Sequence, residues 1–162
     1  MVWGVKAKSI VGPVAALMAI ALVGCETKVA QCNKLIEVVN QGQQISQNIK
    51  GTDAATMEKL ATDLTGLSEQ IKAVEIEDET LVGFRDRFVT IYEDLSGAAS
   101  KVGGALTALN EIKPNPEGVK KAKELQADVE AASKIGDQAA KDEDVLVKEV
   151  NTYCGGTDPE AG

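Results

Sequence analysis

The sequence contains no histidine. The commonest general base and the commonest metal ligand are therefore missing, and no Ser-His-Asp set can be assembled. Aromatic residues make up 3% of the chain, and its one tryptophan, Trp3, lies at the extreme N-terminus. A core with so few rings must be built from Leu, Ile, Val and Ala. No apolar run reaches the roughly 20 residues that span a bilayer. The longest, from Ile10 to Val23, holds 14 residues and includes Gly12 and Pro13. There is no Gly-x-Ser-x-Gly elbow and no phosphate-cradling glycine loop. No two cysteines have the Cys-x-x-Cys spacing of a redox pair. Nothing here calls for a cofactor or a bound metal, and the chain is expected not to be an enzyme.

What is present begins with charge. Acidic residues number 25 against 17 basic ones. Such a surface repels phosphate backbones, so nucleic-acid binding is not expected. Carboxylates cluster at Glu75-x-Glu77-Asp78-Glu79 and at Asp142-Glu143-Asp144. Neither run has the alternation with glycine that a calcium loop of the EF-hand type uses. The first suits the start of a helix and the second a solvated helix face.

Lys6 and Lys8 precede the apolar stretch, which ends in Leu22-Val23-Gly24-Cys25. This order of positive, apolar and small residues before a cysteine resembles the signal peptide and lipobox of bacterial lipoprotein precursors. The resemblance covers residues 1–25 only and names no family for the rest. It implies cleavage before Cys25, lipidation of Cys25, and anchorage to a bacterial membrane facing the periplasm. Glu26 stands where enteric inner-membrane lipoproteins carry aspartate, which favours the outer membrane. Three acyl chains, as that family carries, exceed the two signals that stable anchoring takes. Only Glu26 and Thr27 then separate the lipid from the first helix, so the domain is rooted close to the bilayer.

Removing residues 1–24 leaves 138, enough for one domain with a real core. These keep all 25 acidic residues and 15 of the 17 basic ones, a formal charge of −10. Two cysteines remain beside the lipidated one, Cys32 and Cys154. In an exported protein an even pair reads as a disulfide.

The segment 28–154 reads as helix almost throughout. A first helix runs from Lys28 to about Lys50, with Leu35, Val38, Ile45 and Ile49 on one stripe and Cys32, Ile36 and Val39 beside it. Met57, Leu60, Leu64, Leu67, Ile71 and Val74 alternate by three and four, with Asp53 as N-cap. The same alternation runs from Leu81 through Phe84, Phe88, Ile91, Leu95, Ala98, Val102, Ala105 and Leu109 to Ile112, a coiled-coil-like seam. Lys113-Pro114-Asn115-Pro116 ends it. A fourth helix follows from Glu117 to Cys154, and 155–162 reads as a flexible tail. Short connections imply an all-α, antiparallel up-down-up-down four-helix bundle. That topology puts Cys32 and Cys154 at one end, in agreement with their pairing.

Helices 3 and 4 are longer than 1 and 2, and should project by roughly 15 Å at 1.5 Å per residue. Gly103 and Gly104 fall where support from the first hairpin stops, and are expected to allow close packing on the alanines of helix 4. Phe84 and Phe88 sit on the seam and read as core. Tyr92 lies one position off it, so its hydroxyl is expected at the surface.

The layout is similar to small lipoprotein bundles that dock on membrane complexes. The expected role is a non-catalytic accessory or scaffold that binds another envelope protein. The projecting tip, with Ala105, Leu109 and Ile112 facing only Val119, Ala122 and Leu125, is the candidate contact surface. The alternative is a small-ligand or metal binder using the bundle core or an acidic loop.

Overall fold

A computed structural model describes residues 26–155, so Cys25, the segment before it and the tail beyond Gly155 lie outside the described residues. Four helices follow one another: α1 (Lys28–Asn48), α2 (Ala54–Lys72), α3 (Glu79–Asn110) and α4 (Pro116–Tyr153). Each begins at a side-chain oxygen that accepts a backbone N–H of the first turn. Thr27 caps α1 at Ala30, Asp53 caps α2 at Thr56, Asp78 caps α3 at Leu81 and Asn115 caps α4 at Gly118. Such a bond satisfies one of the four N–H groups every helix start leaves open, at about 1 kcal/mol. Pro116 at the start of α4 lacks the N–H that would otherwise be orphaned there.

The helices form an antiparallel bundle with α3 at its centre. α3 packs extensively on α2 and on α4, while α1 leans on α2 and lightly on α3; the backbones of α1 and α4 hardly approach one another. α3 and α4 hold 32 and 38 residues against 21 and 19 in α1 and α2. The core joins Leu35 and Val39 of α1, Leu64, Leu67 and Ile71 of α2, Phe88 and Ile91 of α3, and Leu146 and Val150 of α4.

The inward face of α1 is rotated from the expected stripe. Cys32, Leu35, Val39 and Gly42 are buried, while Val38 and Ile45 are half-buried and Ile49 is exposed. The cause is Tyr92. Its side chain lies against Gly42 so closely that a Cβ there would sit 2.2 Å from the phenol oxygen. Only the missing side chain of glycine admits the ring.

Tyr92 therefore does not reach the surface. It is 1% exposed. Its hydroxyl donates to Glu143 on α4 and lies 3.4 Å from the Val39 carbonyl on α1. Burial, then the hydrogen bond to Glu143, raise its pKa far above the usual phenol value. Glu143 thus turns inward from a run that reads as a solvated face. Phe88 is core as expected, and Phe84 is half-buried.

A second polar junction joins α2 and α3. Ser96 donates to the Ala61 carbonyl at 2.8 Å, and its oxygen lies 2.7 Å from that of Thr65. The glycine pair also differs from expectation. Gly103 abuts α2, where an added Cβ would meet Glu58 and the Ala54 carbonyl at 3.2–3.3 Å. Gly104 has nothing within 4 Å of such a Cβ. Close packing at this level is made on α2, not on the alanines of α4.

Candidate functional site

The end of the bundle where α1 begins is tied together by side chains from three segments. Cys32 and Cys154, separated by 122 in sequence, form a disulfide with Cα atoms 6.0 Å apart. The neighbouring Gln31 is buried; its carbonyl oxygen accepts the N–H groups of Glu77 and Asp78 at 2.7 and 3.0 Å. Its amide donates to the Glu26 carbonyl at 2.9 Å. One side chain thus links the start of the described chain, α1 and the α2–α3 connection. Tyr153 donates to both Asp78 oxygens, stacks edge-on against Phe84 and carries the Lys28 ammonium 3.5 Å above its ring. The Leu81 N–H and the Tyr153 hydroxyl hold the Asp78 carboxyl below its usual range. The first acidic run is accordingly a junction as well as a helix start. Gln31 and Tyr153 carry it, and sequence reasoning gave neither a polar role. The available signal was their position beside the two cysteines.

The opposite end is the α3–α4 hairpin. Gly103 stands level with Ala54 at the start of α2, and α3 continues to Asn110. Seven further residues at 1.5 Å each give a projection of about 10 Å, somewhat short of the expected figure. Two hollows line one face of this hairpin. One, of about 350 Å³, is bordered by Gly104, Ala105, Leu125, Ala132 and Ile135. The other, of about 300 Å³, is bordered by Ala108, Ile112, Gly118 and Lys121. Positions 104, 108 and 112 on α3 and 118, 121, 125, 132 and 135 on α4 recur by threes and fours, with one step of seven, so both hollows open on the same face. That face is turned away from α2, since Gly103 touches α2 and Gly104 does not.

The predicted contact residues divide. Ala105 is 4% exposed and lies at the bottom of the first hollow. Leu109 and Ile112 are half-buried. Val119, expected to face them, is instead 57% exposed, and Ile135 is 40% exposed. Residues 101–125 also differ in charge from the rest. They hold five lysines (Lys101, Lys113, Lys120, Lys121 and Lys123) against three glutamates (Glu111, Glu117 and Glu124). Carried on to residue 135, where the hollows end, the count is six lysines against five acidic residues, while the other described residues hold 9 basic and 18 acidic ones, so a nearly neutral apex stands on an acidic body.

Among the described residues, no three of Cys, Asp and Glu come together as a metal site requires. No helix of the described residues is long and apolar enough to cross a membrane. Compared with protein-family models, curated proteins and solved structures, the chain matches none.

Proposed function

We propose that the protein is an exported lipoprotein, anchored through acylated Cys25, that serves as a non-catalytic accessory or scaffold for another envelope protein. The observation that carries the reading is the projecting hairpin. Its groove has a floor of small residues, an apolar rim that includes Ile112 and Ile135, and a charged border of Lys101, Lys113 and Lys121 alternating with Glu111, Glu117 and Asp128. Small floors let a helix backbone come close, and complementary charge selects and steers a partner. The partner segment is therefore an amphipathic helix with charged flanks of both signs. The disulfide, Gln31 and Tyr153 tie together the other end, the one nearest Cys25 in sequence, which supports a hairpin that points away from the membrane. Glu26 at the position after the lipid favours the outer membrane over the inner one.

The test is crosslinking in native membranes with partner identification by mass spectrometry. The Leu109→Ser, Ile112→Ser double variant should lose the crosslink while keeping wild-type helicity. Undiminished crosslinking in that folded variant would move the docking surface elsewhere.

A further inference from the structure

α1 and α4 are held together at two levels and stand apart between them. At one end the Cys32–Cys154 disulfide joins them. About two turns along α1, Tyr92 meets the Val39 carbonyl while bonding Glu143 of α4. Between these clasps the two backbones hardly approach. A cavity of about 210 Å³ occupies the gap. Leu35, Val39, Phe88 and Val150 form its floor, and Ile36 of α1 and Val147 of α4 its walls. Asn40, Gln43 and Asn151 form its rim. No charged side chain lines it, in a chain in which 26% of residues are charged.

We infer that this cleft is a binding site for a neutral ligand with a small aliphatic body and a single hydrogen-bonding head, of the alcohol class. Apolar walls with a few convergent polar groups are what small-ligand sites share. Three carboxamides offer donors and acceptors to a hydroxyl and no cation to a carboxylate. An apolar cavity of about 150 Å³ accepts benzene, so this one has room for roughly eight carbons. The two clasps keep α1 from collapsing onto α4, so the cleft does not have to open at the moment of binding.

The experiment uses the full-length protein in its membrane and a diazirine-bearing octan-1-ol as the probe. After illumination, peptide mass spectrometry should find the label within residues 35–43 and 147–151. Excess 1-octanol should compete it away, and octanoate at the same concentration should not. Val147→Phe, which fills the half-buried wall, should cut labelling about tenfold, a change of ~1.4 kcal/mol in binding. Val147→Ala should keep it, and circular dichroism shows whether each variant is folded. Label spread evenly over the α3–α4 groove, competition by octanoate as strong as by octanol, or full labelling in folded Val147→Phe would each overturn the assignment. Leu109→Ser, Ile112→Ser should leave labelling unchanged, so this result stands apart from partner docking.

Discussion

The hydroxyl of Tyr92 donates to Glu143 across the α3–α4 interface, and Gly42 of α1 is the residue that makes room for it. One buried phenol thereby fixes three helices in register. It also explains why α1 presents Val39 and Gly42 inward, not Val38 and Ile49.

Removing the hydroxyl with Tyr92→Phe keeps the ring but leaves the half-buried Glu143 carboxylate without that donor. The expected cost is about 1–3 kcal/mol in urea unfolding. Gly42→Ala forces a methyl group into the phenol oxygen and should cost about 1–3 kcal/mol by overpacking. In a Tyr92→Phe background the second loss should shrink, because one of the clashing atoms is gone. Strict additivity in the double-mutant cycle would show that the two residues are not coupled.

Acid and alkaline stability should be limited by different groups. The Asp78 carboxyl is depressed in the folded state by the Leu81 N–H first and Tyr153 second. Its contribution is present above the unfolded carboxylate value near ~3.9 and fades as pH falls through the lower folded value. Asp78→Asn should remove its share of that acid limb and leave the shares of Asp53 and Glu149, whose carboxyls are also lowered. The Tyr92 hydroxyl is shifted upward by burial. Its contribution is complete below the unfolded phenol value of ~10 and is lost as pH rises toward the folded one. Unfolding midpoints from pH 2 to 12 should show both limbs in the wild type, and Tyr92→Phe should remove its share of the alkaline one.

The disulfide closes a loop of 122 positions. Chain entropy assigns such a loop on the order of 4–5 kcal/mol. Reduction, or Cys32→Ser with Cys154→Ser, should therefore lower the urea midpoint strongly while far-ultraviolet circular dichroism at 25 °C stays helical. Thiol labelling of freshly isolated, unreduced protein at both positions would refute the pairing.

The anchor is tested at Cys25. Cys25→Ser should leave an unprocessed precursor of lower gel mobility that takes up no labelled palmitate. A variant with wild-type mobility that still resists detergent-free washing from membranes would end the lipoprotein reading.

Helix number, order and the starts at Asp53 and Asp78 were legible in the sequence because they rest on local physics, whereas the Thr27 and Asn115 caps were not read there. A three-four apolar alternation buries one stripe, and Asp53 and Asp78 before such stripes supply the first-turn acceptors. The Pro-Asn-Pro break could not continue a helix. The antiparallel order followed from the short connections, and the proximity of Cys32 to Cys154 followed from that order. What only the tertiary structure decided concerns which neighbour a given face meets. Gly42 reads as a weak point in a helix until Tyr92 arrives from α3, 50 positions away. Glu143 reads as a solvated charge until that same hydroxyl reaches it. Gly103 and Gly104 are identical letters, yet one touches α2 and the other opens a groove. Gln31 looks like any exposed amide until the α2–α3 connection brings two free N–H groups to it. Periodicity specifies that a face is buried, but the partner on that face depends on the rotation of each helix about its axis. That rotation is set by contacts between residues far apart in sequence, where volume and hydrogen bonding must match at once.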